Sequence, residues 1–154
     1  MKYKIKIIGD REVELTPKMQ LYSVKDFMGK NLHGIAIAFD YINPESGMLE
    51  PFALLTKSFG EYIGMKNCAY IDTNNCPFVE QLLEYGFARN TGFTKRSGFC
   101  EYPLWEFKEE FLKEHGAENY TLYRNEYDRY MKETYGHTGE ESDDLGENDP
   151  EIKI

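Results

Sequence analysis

Gly34-Ile35-Ala36-Ile37-Ala38-Phe39-Asp40-Tyr41 is the most strand-like stretch of the chain, and it is apolar enough to be a central strand. After it, Asn43-Pro44-Glu45-Ser46-Gly47 has turn composition. Phe52-Ala53-Leu54-Leu55-Thr56 then returns as a neighbouring strand. Before it, Met19 to Val24 reads as a short strand. At the start, Tyr3, Ile5 and Ile7 alternate with Lys2, Lys4 and Lys6, the period of a strand with one buried face. Gly9-Asp10 is a turn, and Glu12-Val13-Glu14-Leu15 is the hairpin partner, which Thr16-Pro17 is expected to end. Cys68 to Asp72 is one more short strand.

Helices are expected further on. Pro77 near a first helical position and Gly86 at an end bracket an apolar stripe of Phe78, Val79, Leu82 and Leu83, with Asn74 or Asn75 as the cap. Phe87 to Phe99 is Gly-rich and reads as a hairpin or ordered loop. Pro103 is read as opening a second helix with Leu104, Phe107, Phe111 and Leu112 buried, which Gly116 ends or bends. A third helix is expected over 117–135, with Tyr120, Tyr123, Tyr127 and Met131 spaced by three and four. The fold class is therefore α+β: an N-terminal antiparallel sheet with about three helices, the last two C-terminal and acidic. Residues 1–135 form a single domain. Residues 136–154 read as a disordered acidic tail.

The totals agree with one domain. The 154 residues are 41% hydrophobic and 15% aromatic, twelve of them Tyr, enough for a core. The N-terminus lacks the apolar run of a signal peptide, and no stretch reaches the ~18 apolar residues of a membrane span. A cytoplasmic protein without membrane contact is the expectation. Cys68, Cys76 and Cys100 are odd in number and show no CxxC spacing, so neither a disulfide framework nor a metal site is indicated.

The formal charge of −9 is unevenly spread. Residues 1–100 hold twelve Lys/Arg and eleven Asp/Glu, whereas residues 101–154 hold six and sixteen, a net of −10. Such a field repels nucleic acid and membrane surfaces and attracts basic protein surfaces, so direct DNA binding through this end is not expected.

Within the acidic part, Glu106, Glu110 and Glu114 stand four apart, and Glu118 continues the row if the helix does. Like charges at this spacing cost about 0.2–0.5 kcal/mol per pair in an isolated helix. Glu109 and Lys113 form an offsetting i,i+4 pair. The row reads either as a solvated helix face or as an acidic ridge that imitates a run of phosphates, attractive to a protein that grips DNA with Lys and Arg. Tyr123 and Tyr127, with Asp128 beside them, read either as core packing or as an aromatic contact surface. The candidate partner-binding set is thus Glu106, Glu109, Glu110, Glu114, Glu118, Tyr123, Tyr127 and Asp128.

Catalysis finds little support. His33, His115 and His137 fall in no ligand pattern, and there is no GxSxG, P-loop or dinucleotide fingerprint. Asp72-Thr73-Asn74-Asn75 is a polar cluster that capping explains. A non-enzymatic protein without a cofactor is expected.

The segments Leu21-Tyr22-Ser23-Val24-Lys25-Asp26-Phe27, Ala69-Tyr70-Ile71-Asp72-Thr73-Asn74-Asn75-Cys76-Pro77, Thr91-Gly92-Phe93 and Ser97-Gly98-Phe99-Cys100-Glu101-Tyr102-Pro103-Leu104 resemble a family of uncharacterised small proteins carried on conjugative elements and phages of gut Firmicutes. The resemblance covers roughly residues 1–115, and it implies a setting more than an activity. Such elements carry small acidic proteins that disarm host defence. The resemblance together with the charge implies an anti-defence inhibitor, an anti-CRISPR protein that binds a CRISPR nuclease–guide RNA complex and fills its DNA-binding cleft by mimicry. The other reading is an accessory protein of a conjugative element that binds a protein partner through its Tyr-rich helix face.

Overall fold

The computed structural model describes residues 3–7, 9 and 11–136. The expected disordered tail lies, from residue 137 on, outside the described residues. The rest folds as α+β, with two four-stranded antiparallel sheets and three helices. The first sheet has the order β1 (Tyr3–Lys6), β2 (Glu12–Lys25), β3 (Asn31–Ile42), β4 (Leu49–Leu54). The second has the order β5 (Thr56–Lys57), β6 (Cys68–Ile71), β8 (Cys100–Phe107), β7 (Ala88–Ser97). Helices α1 (Val79–Leu83), α2 (Glu109–Gly116) and α3 (Glu118–Tyr135) complete the order.

The stretch Gly34–Tyr41 lies within β3, between β2 and β4. Ile35, Ile37 and Phe39 point into one core shared with Trp105, Phe107, Leu82 and Tyr120. The chain changes sheets at Leu55, whose N–H donates to the Ile37 carbonyl at 2.8 Å, while the Ile37 N–H donates to Thr56 Oγ1 at 3.1 Å. β3 therefore holds both sheets.

Two prolines were expected to interrupt regular structure, and neither does. β2 runs unbroken through Thr16-Pro17, so the short strand expected over Met19–Val24 is its second half. Pro103 lies inside β8, opposite Thr94, and opens no helix. Both prolines stand where one neighbouring strand has run out. β1 stops pairing at Leu15, and β6 stops pairing at Leu104. A strand with a neighbour on one side only can lose an N–H without losing a ladder bond. Leu104 and Phe107 are buried from a strand, and only Phe111 and Leu112 from a helix. The region Phe87–Phe99 is the hairpin arm β7, joined to β8 by Gly98-Phe99. Gly98 takes φ +63°, as a tight hairpin turn requires.

The open edge of β1 is covered by side chains of the first helix region. The Lys6 N–H donates to Gln81 Oε1 at 2.7 Å, and Gln81 Nε2 donates to the Lys6 carbonyl. Tyr85 makes the same two-way bridge to Lys4. These two residues stand in for a missing strand. The helix is shorter than expected, and neither Asn74 nor Asn75 caps it. Asp72 instead orders the preceding turn through the Asn75 N–H and side chain.

Gly116 ends α2 for a packing reason. A methyl group there would run into Met19 Sδ and crowd Met19 Cβ at 3.1 Å. Met19 is almost wholly buried and has little room to give. Gly116→Ala is expected to lower stability by about 1–3 kcal/mol, read as a lower urea midpoint at unchanged slope. The corner itself is made by Ala117, at φ +47°.

Candidate partner interface

The corner at Ala117 decides the fate of the glutamate row. Glu106 is on β8, directly opposite Arg89 of β7, and their side chains pair at 2.7 Å. It is a sheet residue, not the first member of a helical row. Glu118 begins α3 after the corner and does not continue the line of α2. Only Glu110 and Glu114 keep the expected i,i+4 relation, about 6 Å apart along the axis. The missed signal at Glu106 is its place between Trp105 and Phe107, apolar residues two apart that face the core from a strand.

Part of the remaining acid is already paired. Glu109 accepts from Lys113 at 3.1 Å and lies 3.9 Å from Arg124. The Lys113 ammonium holds its carboxyl below the usual range. Asp128 pairs with Lys66 at 3.2 Å, and Glu133 with Lys30 at 3.3 Å. Glu126 takes the His33 N–H at 2.8 Å on one oxygen and faces His33 Nδ1 at 3.0 Å on the other, tying α3 to β3. Among the described residues, Glu110 and Glu118 have no cation partner. Among the described residues, the one basic group within reach of Glu114 is His115, 3.9 Å away. Burial lowers the His115 pKa, so the ring is neutral at pH 7 and leaves the Glu114 charge intact.

The tyrosine stripe is a row of structural bolts. Tyr123 and Tyr127 are 3% and 8% exposed, so no partner reaches them on the folded protein. This corrects their reading as a contact surface. The stripe faces the core because each hydroxyl finds a partner there. Tyr120 donates to Asn67 Oδ1 at 3.0 Å, and Tyr123 accepts from the Asn67 N–H at 2.9 Å. Tyr127 donates to the Gly64 carbonyl at 3.0 Å, and Tyr130 to Asp26 Oδ2 at 3.0 Å. Burial raises the pKa of all four, that of Tyr123 most clearly.

Nucleophile chemistry has no support in the buried thiols. Burial pushes Cys68 and Cys76 up to about 11, the opposite of an activated cysteine. Among the described residues no group of three or more His, Cys, Asp or Glu is placed to hold a metal ion. Nor is any helix among them long and apolar enough to cross a membrane.

A family model described as Domain of unknown function (DUF4313) matches residues 22–127, more than two thirds of the chain. The chain belongs to this family. No curated protein and no solved structure matches it. The DUF4313 match begins inside β2 and ends at Tyr127, so it contains Glu110, Glu114, Glu118 and the Asn67–tyrosine bonds. It leaves out β1 and the acidic residues from Asp128 on.

Proposed function

We propose that this DUF4313 protein is a non-catalytic binding protein that engages a basic surface of a nucleic-acid-binding partner through the acidic face of α2. The observation that carries this reading is the exposed pair Glu110 and Glu114, one helical turn apart and without a Lys or Arg partner among the described residues, with Glu118 beyond the corner. Glu106, Glu109, Asp128 and Glu133 are engaged with Lys or Arg, and among the described residues Glu110, Glu114 and Glu118 are not. A partner that binds DNA through Lys and Arg would take such carboxylates in place of phosphates.

The resemblance to proteins of mobile elements supports a finer version. The partner is a CRISPR nuclease–guide RNA complex, and the protein occupies the Arg- and Lys-lined cleft that reads duplex DNA beside the target. In that version the protein is an anti-defence inhibitor. The accessory-protein alternative has less support, because the Tyr face it would use is internal.

The test is a binding measurement at low and high salt on the full chain and a Glu110→Lys/Glu114→Lys/Glu118→Lys variant. The wild type is expected to bind the nuclease–guide complex and to weaken steeply with salt. The variant should bind about 100-fold more weakly or worse, like other charge pairs at tight interfaces, with an unchanged melting temperature. Normal binding by the variant rules out the acidic face. No binding by the wild type rules out the CRISPR assignment. Glu106→Lys serves as a control: it should weaken the β7–β8 pairing yet leave binding within about threefold.

A further inference from the structure

The turn between β2 and β3 holds two large apolar side chains in water. Phe27 is 83% and Met28 78% exposed. The turn is built, not loose. Asp26 Oδ1 accepts from the Met28 N–H at 3.0 Å and the Lys30 N–H at 2.8 Å, while Asp26 Oδ2 accepts from Tyr130 at 3.0 Å. Burial alone would raise the Asp26 pKa, but these bonds prevail and hold the carboxylate ionised. Lys30 adds an ion pair to Glu133 of α3. The fold thus fixes Phe27 and Met28 outward, and nothing in the packing of the described residues uses them.

Beside this knob lies an open groove of about 510 Å³, lined by Phe27, Gly60, Tyr62, Gly64, Tyr130 and Tyr135. The two glycines leave room, and the aromatic rings supply an apolar wall. The Tyr62 hydroxyl is buried there without a hydrogen-bond partner among the described residues. Its neighbour Glu61 reaches Lys95 at 3.1 Å.

We propose that this face is the interface of a symmetric dimer, in which Phe27 and Met28 of each copy enter the groove of the other. Three observations select a second copy of this chain. Knob and groove share one face, so a two-fold axis between them satisfies both at once. The charges around them are mixed: Lys25, Lys30 and Lys95 stand with Asp26, Glu61 and Glu133. That pattern is self-complementary and gives little attraction to an anionic lipid surface or a nucleic acid. The area also fits. Phe27, Met28 and the half-exposed Tyr135 offer on the order of 400 Å². The groove walls supply surface for the rest of the ~800 Å² per partner of a standard interface.

Sedimentation velocity of the full chain over a range of micromolar concentrations tests this. The expected result is a monomer–dimer equilibrium that the Phe27→Ser/Met28→Ser variant weakens about 30-fold or more. Both residues are exposed, so the variant should melt like the wild type. Phe99→Ser, at the tip of the β7–β8 hairpin, should dimerise normally. A wild type that stays monomeric throughout overturns the proposal, as does a double variant that still dimerises. A monomer that co-sediments with phosphatidylserine vesicles through Phe27 and Met28 overturns it in favour of a lipid surface. Binding to the nuclease–guide complex is scored separately on Glu110, Glu114 and Glu118, so failure of one reading leaves the other standing.

Discussion

Asn67→Ala is expected to destabilise the protein by about 3 kcal/mol, more than its small, non-aromatic side chain suggests. Two costs combine. The side chain accepts the buried Tyr120 hydroxyl at 3.0 Å, and its loss leaves a buried donor unpaired, about 1–3 kcal/mol. The backbone sits at φ +66°, where Asn is tolerated and Ala costs about 1–2 kcal/mol. The two separate experimentally. Asn67→Gly removes the acceptor but accepts the backbone angle, so it should cost about 2 kcal/mol. Urea denaturation of the three proteins at constant slope reads the difference. Equal loss for Ala and Gly would show that the backbone angle is not strained. Loss below about 0.5 kcal/mol for either would show that water replaces the acceptor.

Asn67 also marks where reading the sequence stops. The strands around Gly34–Tyr41 were legible because their pattern is local: apolar residues two apart between turn-forming Asn, Pro and Gly. The helix over 117–135 was legible for the same reason. What the Tyr stripe does was not. Its partners, Asn67, Gly64 and Asp26, lie 53 to 104 residues away in the chain, and periodicity carries no sign of them. Pro103 misled because Leu104, Phe107, Phe111 and Leu112 fit a helical stripe well. The strand alternative depends on β6 and β7, which sequence spacing cannot place. Glu106 was lost to the candidate row with it. The Glu109–Lys113 pair was legible from its i,i+4 spacing, but the approach of Arg124 to Glu109 and of Lys66 to Asp128 was equally hidden, since both come through the fold. Charge on the sequence overstated charge at the surface. Of the −10 carried by residues 101–154, −6 belongs to residues 137–154, and much of the remainder is paired.

The same tyrosine bolts should make the fold fail in alkali as one unit. Tyr22, Tyr62, Tyr120, Tyr123, Tyr127 and Tyr130 all have pKa values raised above the usual 10, chiefly by burial. Cys68 and Cys76 are raised to about 11. In each case the native state keeps a proton that the unfolded chain gives up. The stability this represents is fully present below the unfolded pKa, about 9 for the thiols and 10 for the tyrosines, and is lost as pH rises through the folded values. Each group held neutral in the native state contributes a slope of about 1.4 kcal/mol per pH unit in that window. Two or three acting together steepen the loss to about 3–4 kcal/mol per pH unit, against a total stability of about 5–15 kcal/mol. The expected result is a cooperative transition in which tyrosinate absorbance and loss of circular dichroism rise together. Tyr123→Phe should flatten the slope while lowering stability at pH 7, because the Asn67 N–H loses its acceptor. If tyrosinate forms gradually near pH 10 with the dichroism unchanged, the hydroxyls are open to solvent. The bolts would then be surface contacts, and α3 would be free to leave the sheets without cost to the rest of the fold.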